Sequence, residues 1–218
     1  MLLLLKQKFF IFLIKIIQKF GPHRVEVLGN VYEISAEVFN PKYYYTSMFM
    51  AGHIHVDSDD TVLDMGTGSG IQAVTAARQG SRVTAVDINP EAVTYARKNA
   101  ALNGLTDRIT VTESDLFQSL DPEQKFNVIL FTPPYLEGTP KEFFDHALQD
   151  PQKRLLKSFF LEAGNYLEKN GYVQMLYSSI ADPDAALKIS HELGWNHNLT
   201  AREKTFSEEF LVFRLTPG

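Results

Sequence analysis

The chain has 218 residues, 44% of them hydrophobic, which is enough for one sizeable core. It has no cysteine, so disulfides and thiolate metal sites are excluded, and that usage fits a reducing cytoplasm. A formal net charge of −5, with no basic stripe over residues 30–218, argues against a nucleic-acid substrate.

Residues 1–20, MLLLLKQKFFIFLIKIIQKF, hold four lysines and no acid. On a helix, Lys8, Lys15 and Lys19 fall on one narrow face with Gln7 and Gln18 beside it. Lys6 lies off that stripe, and the other side chains make a wide apolar face. The lysines interrupt the run too often for a membrane span. Phe20-Gly21-Pro22-His23 supplies no small-residue cleavage site for a signal peptide. Three roles fit: a core or substrate-lid helix, a self-association or partner helix (a homodimer being the simplest case), or a helix lying on an anionic membrane surface. Residues 1–29 are therefore expected as a basic amphipathic extension, and residues 30–218 as one domain.

Thr61-Val62-Leu63 reads as a short buried strand. It runs through Asp64 into a turn bearing Gly66, Gly68 and Gly70, then into a helix from Ile71 to Gln79 that Gly80 stops. Glycine permits positive φ and a close approach of ligand to backbone, and the helix start offers free N–H groups. A phosphate would be disfavoured beside Asp64, whereas a ligand with a cationic or amino-acid end would gain there. Arg82–Val86 is a second strand ending on Asp87, an acid placed to accept ribose hydroxyls. Asn89 as N-cap and Pro90 at the first position open a helix to Leu102, ended by Asn103-Gly104. Ile109-Thr110-Val111 is a third strand leading to Asp115, and Phe126–Phe131 a fourth, running into Thr132-Pro133-Pro134-Tyr135.

An insertion, Leu136 to Asp150, follows. Pro151 to Glu168 carries one long amphipathic helical pattern, stopped by Asn170-Gly171. Tyr172–Tyr177 is a fifth strand, Asp182-Pro183 opens a helix to Leu193-Gly194, and Trp195–Thr200 and Phe210–Leu215 are two closing strands. The alternation predicts an α/β fold, Rossmann-like and doubly wound, with a seven-stranded, mostly parallel sheet. Asp64, Asp87, Asp115 and Thr132 then fall at the carboxyl ends of strands, where such sheets bind ligands. His53-x-His55 does not have the spacing of a helical metal pair, and no metal site is expected.

The spacing Asp64-x-Gly66-x-Gly68-x-Gly70 is similar to the first motif of class I S-adenosylmethionine-dependent methyltransferases. Thr132-Pro133-Pro134-Tyr135 resembles the Asn-Pro-Pro-Tyr signature of N-methyltransferases, among them release-factor glutamine methyltransferases and the adenine-N6 enzymes of RNA and DNA. Glu37–Pro41 and Tyr45-Thr46-Ser47 resemble the lead-in of the small methyltransferase-domain family, and the likeness spans roughly residues 30 to 215. It implies an antiparallel C-terminal hairpin. It also implies S-adenosyl-L-methionine as cofactor and S-adenosyl-L-homocysteine as product. The cofactor would be held by Thr46, Asp64, Gly66, Gly68, Gly70, Asp87, Ile88, Asp115, Leu116 and Thr132, with Asp115 accepting from the adenine amino group.

Thr132, Pro133 and Tyr135 carry the implied chemistry. An amide or aromatic NH2 has a delocalised lone pair. A side-chain oxygen and the first proline's carbonyl can hold its two protons so that the lone pair faces the methyl group, while tyrosine stacks on the flat group. Thr132 departs from the signature: its hydroxyl is shorter than asparagine's amide and is also a donor. Signatures with serine or aspartate serve other nitrogen acceptors, so the departure bears on the acceptor. Tyr43, Tyr44, Tyr135, Phe143 and Phe144 are the expected substrate contacts. The expected reaction is N-methylation of an amine or amide of a small molecule or protein, in the cytoplasm or at a membrane periphery. The alternatives are an adenine-type nucleic-acid methyltransferase, a non-catalytic S-adenosylmethionine-binding protein, or another enzyme of this fold such as an aminopropyl transferase or NAD-linked reductase.

Overall fold

The computed structural model describes residues 2–206 and 208–218 and, within them, every side chain except those of residues 2–6, 8–10 and 143. The chain opens with α1 (Leu2–Phe20), a hairpin of β1 (Arg24–Val27) and β2 (Asn30–Glu33), and α2 (Tyr45–Gly52). Strands and helices then follow as β3 (Thr61–Met65), α3 (Ile71–Arg78), β4 (Arg82–Asp87), α4 (Pro90–Leu102), β5 (Ile109–Glu113) and β6 (Phe126–Phe131). The remainder is a short α5 (Phe143–His146), α6 (Arg154–Glu162), β7 (Leu167–Ser178), α7 (Pro183–Glu192), β8 (Trp195–Lys204) and β9 (Glu209–Pro217).

Among the described residues, seven strands form one sheet in the order β5-β4-β3-β6-β7-β9-β8. The neighbours from β5 to β7 pair in parallel, and β9 is antiparallel to both β7 and β8. This is the expected α/β, Rossmann-like sheet with its closing antiparallel hairpin. The chain steps outward from β3 through β4 to β5, then crosses back to place β6 on the other side of β3. The β3/β6 junction is therefore the topological switch point, where a crevice opens at the carboxyl ends.

Both faces of the central strands are covered, which is why their apolar runs are continuous rather than alternating. Val62, Val128 and Leu130 pack into one core with α2, α3 and α4. Leu63, Met65, Ile129 and Phe131 face the other core, with α6 and α7. Residue period 2 divides each strand between the two layers.

Three features depart from the sequence expectation. Pro151 to Glu168 is not one helix: a 3₁₀ turn over Pro151–Lys153, with Gln152 and Lys153 at φ 59° and 53°, precedes α6, and a second 3₁₀ turn, Ala163–Tyr166, follows it. The Asp150 carboxylate accepts from Leu155 N (2.9 Å) and Leu156 N (3.0 Å), which sets the helix start near Arg154. The fifth sheet strand begins at Leu167, five residues earlier than expected, because Leu167 pairs with Phe126 across a bulge.

The β1–β2 hairpin was not expected at all. Asn99 of α4 and Asn103, which caps that helix, act as a surrogate strand edge for it. Each amide accepts from one backbone N–H of β2 (Glu33 N 2.7 Å, Val31 N 3.2 Å) and donates to the same residue's carbonyl (3.0 and 2.8 Å).

The third departure is α1. Its polar side chains Gln7 and Gln18 are buried with Ile14, and the apolar side chains Phe12, Leu13, Ile16, Ile17 and Phe20 are exposed.

Candidate active site

The crevice is a cavity of about 370 Å³ walled by the loops after β3, β4, β5 and β6, with α1, α2, the α5 loop and the start of β9 closing the far side. Its first end is made of three strand-end turns. Gly66 N and Thr67 N both donate to Val86 O (2.9 Å each), drawing the turn after β3 against β4. Gly66 and Gly68 have φ of +71° and +54°, and the space where a Cβ would stand is open at both. Gly70, at φ +84°, caps α3 and lies against Ala96, 3.4 Å from where its own Cβ would be. It packs beneath the turn and does not reach the cavity wall.

Asp64 is buried, with Oδ2 accepting from Thr67 Oγ1 (2.6 Å) and Ala73 N (3.0 Å). Burial pushes its carboxyl up to about 7; the nearby Asp87 adds to the rise and the two hydrogen bonds oppose it. Asp87 accepts from Gly68 N (2.8 Å) through Oδ2 and from Asn89 N (2.9 Å) through Oδ1, so it ties the glycine turn to the start of α4. Burial raises its carboxyl as well. After β5, Ser114 Oγ donates to Leu116 O (2.8 Å) and accepts from Ser119 N (3.0 Å). With Leu116 at φ 48°, that turn brings Asp115 and Leu116 to the wall.

The second end begins at the close of β6. Thr132 Oγ1 is buried and has no hydrogen-bond partner. Pro133, Pro134 and Tyr135 continue the wall, and the Tyr135 ring lies 5.5 Å from that of Tyr177. Leu136 N donates to Leu148 O (2.9 Å) and Asp150 N to Leu136 O (3.0 Å), which closes the α5 loop on itself and sets His146, Ala147 and Leu148 on the wall. Tyr44 Oη donates to Ile14 O (3.1 Å), joining the lead-in to α1. Tyr45 lies against Phe49 (5.9 Å) and Phe210 (5.2 Å). Half-buried Glu208 hydrogen-bonds Ser178, and burial pushes its carboxyl up.

Of the residues picked out in the sequence, Thr46, Asp64, Gly66, Gly68, Asp87, Ile88, Asp115, Leu116, Thr132, Pro133, Tyr135, Tyr43 and Tyr44 share this one cavity. Phe144 is buried behind the wall with Ile14, Tyr44, Leu136 and Leu148, its ring stacked 5.0 Å from Phe39. The Phe143 side chain lies outside the described ones. Tyr45 of the lead-in and His146 of the insertion line it too, and Ile14, Leu148, Glu208 and Phe210 do so without having been singled out. None sits in a local motif that marks it: Glu208 and Phe210 arrive through the β8–β9 hairpin, and Ile14 through the packing of α1.

Residues 37–207 match the family described as the methyltransferase small domain. The chain belongs to that family. This methyltransferase is 34% identical over 195 residues to a putative protein N5-glutamine methyltransferase of Methanocaldococcus jannaschii, covering 86% of this chain and 96% of that one. A release factor glutamine methyltransferase of Rhodopirellula baltica is 49% identical over 78 residues, which is 35% of this chain and 26% of that protein. Among solved structures, a methyltransferase from Pyrococcus furiosus superposes with a TM-score of 0.62 at 19% identity, over 96% of this chain and 98% of that one, and shows the shared fold.

The methyl donor of this family is S-adenosylmethionine, and the first end of the cavity fits it. The open positions at Gly66 and Gly68 form a backbone cradle that any Cβ would fill. Asp87 has three backbone donors, while a carboxylate offers about four acceptor sites. Acceptor capacity thus remains for a ribose hydroxyl.

Proposed function

We propose that this methyltransferase acts on a planar nitrogen, the side-chain amide of a glutamine in a protein substrate, and releases S-adenosylhomocysteine. The observation that carries this reading is Thr132 Oγ1, a buried hydroxyl without a partner at the head of the Pro133-Pro134-Tyr135 turn. A buried polar atom left unpaired costs about 1–3 kcal/mol, which a substrate N–H would recover. An amide NH2 has two protons to place. Thr132 Oγ1 accepts one and the Pro133 carbonyl the other, while Tyr135 stacks on the amide plane. That arrangement presents the face of the amide, where the nitrogen lone pair lies, to the donor: the N–C bond forms as the sulfonium S–C bond breaks with its electron pair left on sulfur, and the nitrogen's surplus proton leaves to water.

The cofactor supplies an electrophilic methyl group on a sulfonium. The protein's part is to hold and orient, and positioning of this kind is worth about 7–11 kcal/mol of barrier. In this reading Asp87 accepts from the ribose and Asp115 from the adenine amino group. Asp64 faces the cationic amino-acid end, and Thr46, Ile88, Leu116 and the glycine turn complete the seat. Tyr43 and Tyr44 contact the arriving protein segment. The archaeal relative, named for protein N5-glutamine methylation, supports a protein acceptor, and the chain's net charge of −5 disfavours nucleic acid.

The test offers peptides bearing glutamine, asparagine or lysine, and RNA and DNA oligonucleotides, with S-adenosylmethionine, and locates the added methyl by fragmentation mass spectrometry. Methylation at a glutamine side-chain nitrogen is expected. Methyl transfer confined to lysine, or to an oligonucleotide base, would overturn the acceptor assignment. Cofactor binding with no transfer to a panel of cellular proteins would overturn the catalytic one.

A further inference from the structure

The inverted packing of α1 needs an explanation. The helix is held to the domain by polar groups: Gln18 Nε2 donates to Ser35 O (2.8 Å) and Val38 O (2.6 Å), and Gln7 Nε2 donates to Ile180 O (2.9 Å). Lys15 pairs with Asp145 (2.5 Å) and Glu142 (3.5 Å), and Ile14, with half-buried Ile11, makes apolar contact. On the other side Phe12 is 59% exposed and Phe20 79%, with Leu13, Ile16 and Ile17 exposed between them. At about 100° per residue these five fill one continuous arc. A contiguous apolar patch of this kind on a surface marks an interaction site.

Charge decides the occupant. Lys15 is already engaged by Asp145 and Glu142, but Lys19 is exposed and borders the arc, and the first 20 residues hold four lysines and no acid. A second copy would bring the same acid-free helix, with its own Lys19, to that face. A surface of opposite sign satisfies it. No helix among the described residues is long and apolar enough to cross a membrane, so an interfacial position is the one open to α1.

We infer that α1 docks this methyltransferase on an anionic lipid surface, with Phe12, Ile16 and Phe20 entering the acyl boundary and Lys19 meeting the headgroups. The buried face of α1 carries Ile14 on the cavity wall, so docking sets the methyl-transfer cavity directly behind the lipid-facing helix. The inference does not depend on which nitrogen is methylated.

The experiment is co-sedimentation of the full chain with vesicles of phosphatidylcholine alone or mixed with phosphatidylserine, at low and high salt. Mass in solution is measured by light scattering in parallel. The variants are Ile16→Asp with Phe20→Asp, and Lys19→Glu, each checked for an unchanged thermal melt. The wild type should pellet with the anionic vesicles. The bound fraction should fall about tenfold in the double variant and severalfold in Lys19→Glu or at high salt. Should the double variant not fold, Lys19→Glu and the salt series carry the test. No pelleting with anionic vesicles, or equal pelleting with both compositions, overturns the inference. A solution dimer that the double variant splits, without vesicle binding, also overturns it and assigns the face to a second copy.

Discussion

At the cofactor end of the cavity, most wall groups lie within a few positions of a strand's carboxyl end: Asp64 to Ser69 at the close of β3, Asp87 to Asn89 at that of β4, Ser114 to Leu116 after β5. At the acceptor end the wall is assembled from distant pieces, with Ile14 from α1, Tyr43 to Tyr45 from the lead-in, His146 to Leu148 from the α5 loop, and Glu208 and Phe210 from the last hairpin. The first end is shaped by backbone conformation and short hydrogen bonds, such as Gly68 N to Asp87 and Thr67 to Asp64. The second is shaped by side chains packing across the length of the chain, as where Tyr44 meets Ile14. One end therefore answers to local changes of φ or charge, and the other to changes in packing made far from the chemistry.

Substitutions should separate the two ends. The largest effect is expected from Gly68→Val, which places a β-branched residue at φ +54° and fills the open cradle. Backbone strain of about 1–3 kcal/mol plus the lost ligand space should weaken S-adenosylmethionine binding by roughly two orders of magnitude or more by calorimetry. Near-normal affinity would mean the cradle is not the cofactor seat.

Thr132→Ala should lower kcat by roughly tenfold to hundredfold while cofactor affinity stays within about twofold, and Thr132→Ser should restore most of the rate. A cofactor affinity that falls with kcat would move Thr132 to the other end of the comparison.

Asp64 gives a pH signature. Its folded-state carboxyl, raised to about 7, keeps a proton that the unfolded chain sheds near its ordinary value of about 3.9. The stability linked to that proton is present below the unfolded value and is lost as pH rises through about 7. A cationic ligand favours the ionised form, so S-adenosylmethionine affinity should rise by up to about tenfold per pH unit below 7 and level off above it. Asp64→Asn should flatten that slope. A slope that survives the substitution would assign it to another group.

Smallest of the four is Gln18→Ala. It removes the bonds from α1 to Ser35 and Val38 and the acceptor for Asn40 N, at about 1–3 kcal/mol of stability by denaturant melt. The acceptor end should suffer before the cofactor end, with turnover falling and cofactor affinity unchanged.

Legibility in the sequence follows the same division. β3, β4 and β6 could be read because each is a short apolar run ending on a motif whose residues act on their immediate neighbours. The start of α4 could be read because Asn89 caps its own helix, accepting from Glu91 N at 3.0 Å. The β1–β2 hairpin could not, since the groups that hold it, Asn99 and Asn103, lie 66 and 72 positions away. The break between α6 and β7 was hidden for a related reason: an amphipathic period continues through Ala163–Tyr166, and pairing of Leu167 with Phe126 overrides it.

The sequence by itself determined the α/β alternation, the glycine turn with its three strand-end acids, and the Thr132-Pro133-Pro134-Tyr135 turn. Each of these is written in runs of adjacent residues, even where a bond such as Gly68 N to Asp87 closes between neighbouring strands. Tertiary structure alone decided that Gln7 and Gln18 face inward while Phe12 and Phe20 face outward. A helical period ranks faces by polarity, but backbone carbonyls beneath α1, buried at Val38 and partly buried at Ser35 and Ile180, require donors, and only the packed fold sets which side of α1 must supply them.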